Sequence, residues 1–156
     1  MPKRSLTVLL AVLALALPSL AQSHQAAISS GAPDAALMQK ILDGWSTMNP
    51  HDAAKFYAPG AGVFFDITPL KYSSWDEYEN GVRNVLANYQ SLKLTANDDA
   101  TVHVHGDMAW GTTTIKEDAV RKNGMREMAT LRWTMIWEKR NGEWLIVHDH
   151  TSEPLQ

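Results

Sequence analysis

The spacing of apolar residues in the first half of the chain predicts helices. From Leu37 to Met48, apolar residues recur at the i, i+4, i+8 and i+11 spacing of one helical face, and Asp34 precedes them as a candidate N-cap. Ser74 and Glu77 form a capping box, so a second long helix is predicted to follow them.

Beyond residue 90 the apolar period falls to two, which is typical of strands. Strands are predicted at 91–97, 100–105, 108–119, 126–139 and 143–151, preceded by a short one at 63–67. Three connections carry hairpin dipeptides, Gly106-Asp107, Asn123-Gly124 and Asn141-Gly142. Helices followed by antiparallel strands predict an α+β fold in which the helices cover one face of a curved sheet.

The first 21 residues have the three parts of a secretory signal. Lys3 and Arg4 precede the apolar run Leu6–Leu17, and small residues occupy the −3 and −1 positions of a cut after Ala21. The run is shorter than the roughly 20 apolar residues that span a membrane, so a cleaved signal is expected rather than an anchor. A cut after Ser23 is the alternative, and either cut predicts a periplasmic or secreted protein.

Removal of residues 1–21 changes the formal charge from −3 to −5 and leaves a small, polar segment at 22–33, which is predicted to be a flexible leader to a domain at 34–152. This charge gives no reason to expect nucleic acid as a partner, and no membrane association is expected after cleavage. The chain has no cysteine, which excludes disulfides, thiolate metal sites and a cysteine nucleophile. The glycine motifs of NTPases, dinucleotide-binding folds and serine hydrolases are also missing from the sequence.

The sequence of the last predicted hairpin is the most specific family signal in the chain. Residues 137–152 follow the pattern W-x-x-R-[DN]-G-x-W-x-[IV]-x-H-x-H-x-S, and residues 65–70 with Trp75, and 106–110, agree with the same families. On these residues the chain resembles the nuclear transport factor 2-like (NTF2-like) superfamily. It is most similar to the SnoaL-like branch, which is related to ketosteroid isomerases and to the association domain of calmodulin-dependent kinase II. The resemblance covers about residues 35–152.

This resemblance implies a cone-shaped fold of the NTF2-like or cystatin-like kind. A strongly curved antiparallel sheet wraps around the N-terminal helices and leaves an apolar pocket at the wide end. It also implies a homodimer formed through the outer face of the sheet. The superfold hosts isomerases, dehydratases, binding modules and oligomerisation domains, so the resemblance alone does not identify an activity.

Strand alternation predicts which side chains enter the cone. The apolar face of the predicted strand at 126–139 comprises Leu131, Trp133, Met135 and Trp137. In the last strand, comparison with the association-domain pattern favours an inward face with Val147 and Asp149, which leaves His148 and His150 on the outer face.

Two carboxyl groups are candidates for acid–base chemistry. Asp66 interrupts an apolar strand, and it either caps the following turn or enters the pocket, where burial would raise its pKa and suit it to take a proton next to a carbonyl. Asp149 has the same structural and functional interpretations. In an enzyme, Asp66 is the expected base and Asp149 or Tyr72 the expected electrophile, without a cofactor, as in ketosteroid isomerase chemistry.

Aromatic and apolar residues are the candidates for binding a small hydrophobic or carbonyl-containing molecule. The predicted ligand-binding residues are Trp45, Tyr57, Trp110, Trp133, Met135 and Val147. Six tryptophans in a chain of this size favour a cavity for a flat or cyclic ligand, although each aromatic residue can instead belong only to the core.

Two alternatives stay open at this stage. The first is a non-catalytic dimerisation or ligand-sensing module. The second is a metal site formed by two His-x-His pairs, His103 with His105 and His148 with His150, if their strands lie close together. The charged stretch from Lys116 to Arg126 is predicted to be a solvated hairpin tip.

Overall fold

The structure is a computed structural model, and it describes residues 31–155. The predicted signal at 1–21 and the leader up to residue 30 lie outside the described residues. Among the described helices, none is long and apolar enough to cross a membrane.

The described chain has the predicted α+β order, with helices near the start and a long run of strands after them. The elements are α1 (Ala35–Ser46), two 3-10 turns (Pro50–Asp52 and Ala54–Phe56), β1 (Ala61–Phe65), β2 (Tyr72–Ser74), α2 (Trp75–Leu86), β3 (Tyr89–Ala96), β4 (Thr101–His105), β5 (Met108–Arg121), β6 (Arg126–Arg140) and β7 (Glu143–Ser152). The short strand β2 has no counterpart in the sequence prediction, since three residues are too few to show a period.

The helix starts follow the predicted capping chemistry. The Asp34 carboxylate accepts a hydrogen bond from the backbone N–H of Leu37 at 2.7 Å, and the Ser74 hydroxyl accepts one from the N–H of Glu77 at 3.2 Å. The Glu77 carboxylate accepts the N–H of Ser73 rather than that of the cap residue itself. Helix α1 ends before Met48, whose φ of 66° is left-handed and incompatible with continuing the helix.

One curved, open sheet contains all the strands, in the order β2-β1-β7-β6-β5-β3, with β4 also paired to β5. The expectation of a wholly antiparallel sheet needs one correction, because β1 and β7 run parallel. Since β1 and β7 come from opposite ends of the domain, a long connection lies between them and a parallel pairing is sterically open. This pairing places Phe64 opposite Asp149.

A register shift in β7 corrects the predicted inward face of that strand. Ile136 pairs with His148 and Trp137 pairs with Ile146, so Val147 is an extra residue in β7. As a result, Ile146 is buried before the bulge and Asp149 is buried after it, whereas Val147 is only half-buried. Strand β6 has no such shift within its apolar face, and the residues predicted to face inward, Leu131, Trp133, Met135 and Trp137, are all buried.

The core lies between the two helices and the concave face of the sheet. It combines residues of α1 such as Met38 and Ile41 with Phe64 of β1 and with Met135 and Trp137 of β6, all at most 1% exposed. Each large apolar side chain buried in this way contributes about 2 kcal/mol to folding. An aromatic cluster joins α2 to this core and forms one side of the cavity described below.

Gly81 fixes how closely α2 approaches β2. A Cβ added at Gly81 would lie 2.2 Å from the Tyr72 hydroxyl and 2.3 Å from a Tyr72 ring carbon. Alanine in a helix interior is normally more stable than glycine by about 1 kcal/mol. We expect Gly81→Ala to reverse this sign and to lower the free energy of unfolding by at least 1 kcal/mol, because helix and strand would have to separate.

Urea unfolding of Gly81→Ala and of the wild type measures this effect. Asn80→Ala, an exposed substitution one position earlier in the same helix, is the control and should be neutral or stabilising. A stabilised Gly81→Ala would show that Tyr72 does not restrict this position.

Candidate functional site

A cavity of about 330 Å³ opens between the two helices and the concave face of the sheet. This volume lies within the range of small-molecule sites. Most of its wall is apolar, with contributions from Leu42, Trp45, Val82, Leu86, Leu131 and Trp133. Its acidic side chains are Asp66, Glu117 and Asp149.

Asp149 lies at the inner end of the cavity in a network of aromatic donors. Its Oδ1 accepts the indole N–H of Trp133 at 2.8 Å, and its Oδ2 accepts the hydroxyl of Tyr57 at 2.5 Å. The Tyr57 oxygen in turn accepts the indole N–H of Trp45 at 3.0 Å. Tyr57 is held beside β7 because the N–H of the next residue, Ala58, bonds to the carbonyl of Ile146.

Burial is the main influence on the pKa of the Asp149 carboxyl. The side chain is 1% exposed, and this desolvation raises its pKa from 3.8 to about 7, although the hydrogen bonds from Tyr57 and Trp133 lower it. Both oxygens are already occupied by donors from the protein. Asp149 therefore organises the aromatic residues around it, rather than presenting a free acid to a ligand.

Asp66 has both features that the sequence left as alternatives. It follows the end of β1, where its Oδ1 accepts the N–H of Ile67 at 2.7 Å, as expected of a residue at a turn. It also lines the cavity, and its second oxygen receives no hydrogen bond from residues 31–155. Burial raises the pKa of this carboxyl, which strengthens it as a base.

Tyr78 of α2 is a cavity residue that the sequence reasoning did not single out as functional. It is 4% exposed, lines the cavity, and its hydroxyl has no hydrogen-bond partner in the described part of the chain. Its ring stacks on Phe64 with the ring centroids 5.1 Å apart. Burial first, and then the charges of Asp149 and Asp66, raise its pKa far above the usual value, so its proton is retained. The capping box at Ser74 predicted the helix that contains Tyr78, but helical spacing does not distinguish a core residue from a site residue.

Tyr72, which was predicted as the electrophile alongside the alternative Asp149, does not line the cavity. Its hydroxyl donates to the carbonyl oxygen of Thr68 at 3.0 Å and so stabilises the turn after Asp66. The phenol closest in role to the prediction is that of Tyr78, whose ring packs 5.2 Å from that of Tyr72. Tyr72 lies outside the cavity because it belongs to β2, the short strand that the sequence did not predict, and this strand packs behind α2.

The mouth of the cavity contains a charged group that was predicted to be a solvated hairpin tip. Alternation along β5 turns Glu117 and Arg121 toward the cavity. Arg121 forms an ion pair with Glu127, with 2.6 Å between Nε and Oε1, and Glu127 also accepts the hydroxyl of Tyr89 at 2.8 Å. The outward residues of the same hairpin, such as Asp118, agree better than Glu117 and Arg121 with the predicted solvated hairpin tip.

The predicted ligand-binding residues fall into three groups. Trp45 and Trp133 line the cavity, and Tyr57 lies behind it in hydrogen-bonding contact with Asp149. Met135 is buried in the core and Val147 lies at the bulge, both outside the lining. Trp110 is a correction, because it lies on the outer face of β5, 48% exposed, where its ring stacks on His103.

The two histidine pairs do not converge on one metal. His103 and His148 lie on the outer face, but β5 and β6 separate their strands, which places them about 14 Å apart at ordinary strand spacing. Within residues 31–155, no group of three or more His, Asp or Glu side chains could hold a metal ion. The four-histidine site is therefore wrong, because it assumed that β4 and β7 are neighbours.

The raised pKa of Asp149 predicts an unusual dependence of stability on pH. The folded protein keeps a proton that the unfolded chain releases between about pH 4 and pH 7, so the stabilisation from this group is complete below pH 4 and is lost as the pH rises through 7. Asparagine mimics the protonated carboxyl and does not titrate. We expect the free energy of unfolding of the wild type, relative to Asp149→Asn, to fall by up to about 4 kcal/mol over this range.

Urea unfolding of both proteins at several pH values measures this difference. Asp99→Asn, at an exposed carboxylate with a lowered pKa, is the control and should differ from the wild type by a constant amount between pH 5 and 7.5. If the Asp149→Asn difference is equally constant, the folded protein holds Asp149 as a carboxylate throughout.

Comparison with known proteins agrees with this geometry. A family model described as the SnoaL-like domain matches residues 34–156. The search among curated proteins found no match.

Several solved structures share the fold. One is a Xanthomonas campestris protein provisionally assigned as a calcium/calmodulin dependent protein kinase II association domain, with 30% identity, a TM-score of 0.68, and coverage of 78% of this chain and 86% of that one. A Salmonella enterica protein of the NTF2-like superfamily has 20% identity, a TM-score of 0.68, and coverage of 78% and 91%.

A protein from Streptomyces avermitilis, provisionally assigned as an NTF2-like dehydratase, has 15% identity, a TM-score of 0.66, and coverage of 80% and 100%. These likenesses agree with the fold of the curved sheet, and the family match covers nearly all of the described chain. The chain therefore belongs to the SnoaL-like domain family, as the sequence of its last hairpin predicted, and it shares the fold of NTF2-like proteins.

Proposed function

We propose that this protein binds a small, mainly apolar carbonyl compound in the cavity and moves a proton on the carbon next to the carbonyl. The observation that carries the proposal is Asp66, a carboxylate with one free oxygen on the wall of an apolar cavity. A carboxylate in such surroundings is a stronger base than one in water. The phenol of Tyr78 lines the same cavity, and its hydroxyl has no hydrogen-bond partner among residues 31–155.

In the proposed step, Asp66 acts as the base and the Tyr78 hydroxyl acts as a hydrogen-bond donor. Asp66 takes a proton from the carbon, and the electron pair left on that carbon moves to the carbonyl oxygen as an enolate forms. The Tyr78 hydroxyl donates a hydrogen bond to that oxygen, where the negative charge develops. If the compound has a β,γ-double bond, the enolate is a dienolate. Return of the proton from Asp66 to its γ-carbon then moves the double bond into conjugation and completes an isomerisation.

Asp149 supports this step without contacting the ligand in our proposal. Its two hydrogen bonds hold Trp133 and Tyr57 in place, and both of these pack around the inner end of the cavity. The fold neighbour from Streptomyces avermitilis is provisionally assigned as a dehydratase, which is also proton-transfer chemistry. This likeness supports the class of reaction and leaves the substrate open.

Exchange of the α-protons of 2-tetralone in D₂O, followed by ¹H NMR, tests the proton abstraction without knowledge of the natural substrate. We expect the wild type to accelerate exchange over buffer and Asp66→Asn to lose at least about 100-fold of that acceleration. Tyr78→Phe should lose about 10- to 100-fold, because the enolate oxygen loses its donor.

Two controls accompany this experiment. Asp107→Asn removes a carboxylate from the exposed β4–β5 turn and should exchange like the wild type. Val82→Trp fills the cavity and should abolish the acceleration while the protein stays folded. Equal rates for the wild type and Asp66→Asn would remove Asp66 from the mechanism.

A second function, assembly into a homodimer, is favoured by the outer face of the sheet. The strand registers align one row of outward side chains across five strands, comprising His103, Trp110, Ile136, His148 and Val63. Trp110 and Val63 are 48% and 40% exposed, which is high for such residues in the middle of a sheet. The Xanthomonas campestris relative is provisionally assigned as an association domain, in keeping with assembly.

We expect the mature chain to sediment as a dimer and Trp110→Ser to shift it toward monomer, because the largest apolar group of the row is lost. Sedimentation velocity over a range of concentrations measures the change. Leu70→Ser, which removes an apolar side chain that is 93% exposed elsewhere, is the control and should sediment like the wild type. A monomeric wild type would rule out this assembly.

We also propose that the protein acts in the periplasm or outside the cell. The support is the sequence pattern of residues 1–21 alone. A domain without cysteine suits such a compartment, since it has no thiol to oxidise.

A further inference from the structure

Glu117 is an acidic side chain at the cavity that no group within residues 31–155 neutralises. It lies on β5, half-buried, among the lining residues. Within residues 31–155, no donor forms a hydrogen bond or ion pair with its carboxylate. The carboxylate therefore offers both oxygens to whatever enters the cavity.

Arg121, the cation that lines the cavity within the described residues, is already engaged. Arg121 forms its ion pair with Glu127 at 2.6 Å, and its guanidinium lies 4.9 Å from the centre of the Tyr89 ring. The Tyr89 hydroxyl occupies the other oxygen of Glu127. The positive charge of Arg121 is thus balanced inside the protein and is poorly available to an anionic ligand.

A second observation points to a ligand in the same cavity. Tyr78 is 4% exposed, and its hydroxyl has no partner in the described part of the chain. This hydroxyl is on the cavity wall, where a polar ligand atom would give it a hydrogen-bond partner. The cavity thus combines one unpaired acid, Glu117, with an unused polar group at its buried wall.

We propose that Glu117 recognises a protonated amine, so that the protein takes apolar molecules carrying a cationic nitrogen and rejects carboxylates of the same shape. The proposal rests on the proposed function. There, the apolar wall and Asp66 account for the apolar body and the carbonyl group of the ligand, and here Glu117 accounts for a further, cationic group. The apolar body would fill the cavity toward Tyr78, and the nitrogen would remain at the charged end beside Glu117.

The electrostatics of the charged end agree with this assignment. Burial, and then the negative charges of Glu127, Asp66 and Glu153, raise the pKa of Glu117, so its ionised form is disfavoured in the empty cavity. A cation would relieve this repulsion, whereas a carboxylate ligand would add to it. Because Glu117 is only half-buried, an ammonium group there keeps part of its hydration, which limits the desolvation cost.

Three probes with one apolar body test the proposal: 2-naphthylmethylamine, 2-naphthalenemethanol and 2-naphthoate, measured by titration calorimetry on the mature protein at pH 7.5. We expect the amine to bind about tenfold more tightly than the alcohol and the carboxylate to bind most weakly. In Glu117→Gln, the amine should fall to the affinity of the alcohol, while the alcohol itself is unchanged.

Two further variants make the test specific. Asp118→Asn removes the same charge from the next residue of β5, which pairs with Arg126 away from the cavity, and it should keep the wild-type ranking. Glu127→Gln releases Arg121, so 2-naphthoate should gain about tenfold in affinity. This second variant reports on the charge balance even if Glu117→Gln folds poorly.

The outcomes separate the two proposals. Equal affinity for the amine and the alcohol, or an unchanged amine affinity in Glu117→Gln, overturns the role of Glu117 and leaves the apolar cavity intact. Binding of the alcohol with wild-type proton exchange on 2-tetralone supports the proposed function whatever the amine does. Failure of all three probes to bind overturns both.

Discussion

The hydrogen bonds at the Asp149 carboxyl are the interaction on which the site depends. Tyr57 comes from the segment after the 3-10 turns, Trp133 from β6 and Asp149 from β7, so one buried carboxyl joins three distant parts of the chain. A buried charge is tolerated only with partners of this kind, and here burial still raises its pKa to about 7. The inner wall of the cavity is therefore held by a group whose own protonation is balanced near neutrality.

Among the charged residues that line the cavity in the described part of the chain, acidic groups outnumber basic ones. Asp66, Glu117 and Asp149 line one apolar space, and the cation that accompanies them is engaged by Glu127. Burial raises the pKa of each of these three carboxyl groups, and the charge of Asp66 raises the pKa of Asp149 and of Glu117 further. A carboxylate ligand would meet repulsion from several directions in such a site. The charge arrangement thus limits the chemistry more strongly than the cavity volume does.

Much of the fold could be predicted from the sequence because its signals are local. The cap at Asp34, the hairpin dipeptides and the alternation of β6 depend on neighbouring residues, and the structure agrees with each of them. The parallel pairing of β1 with β7 depends on contacts across the whole chain, and so does the choice of Tyr78 over Tyr72 as the phenol in the cavity. Asp66 and Asp149 could be identified because a carboxylate in an apolar strand is rare, whereas the outward position of Trp110 could not, since aromatic residues suit both faces of a sheet.

The bulge at Val147 sets how this strand can be compared with those of relatives. Val147 and His148 together lie opposite a single residue of β6, Ile136. A relative that lacks one of these two residues would have a regular strand here, and its acid would still point inward. A relative of equal length with an unbulged strand turns the acid outward and a histidine inward. Length differences of one residue in this hairpin therefore preserve the chemistry of the cavity, and equal length does not guarantee it. Alignment of family members at this position therefore requires the pairing of the strands as well as the amino-acid sequence.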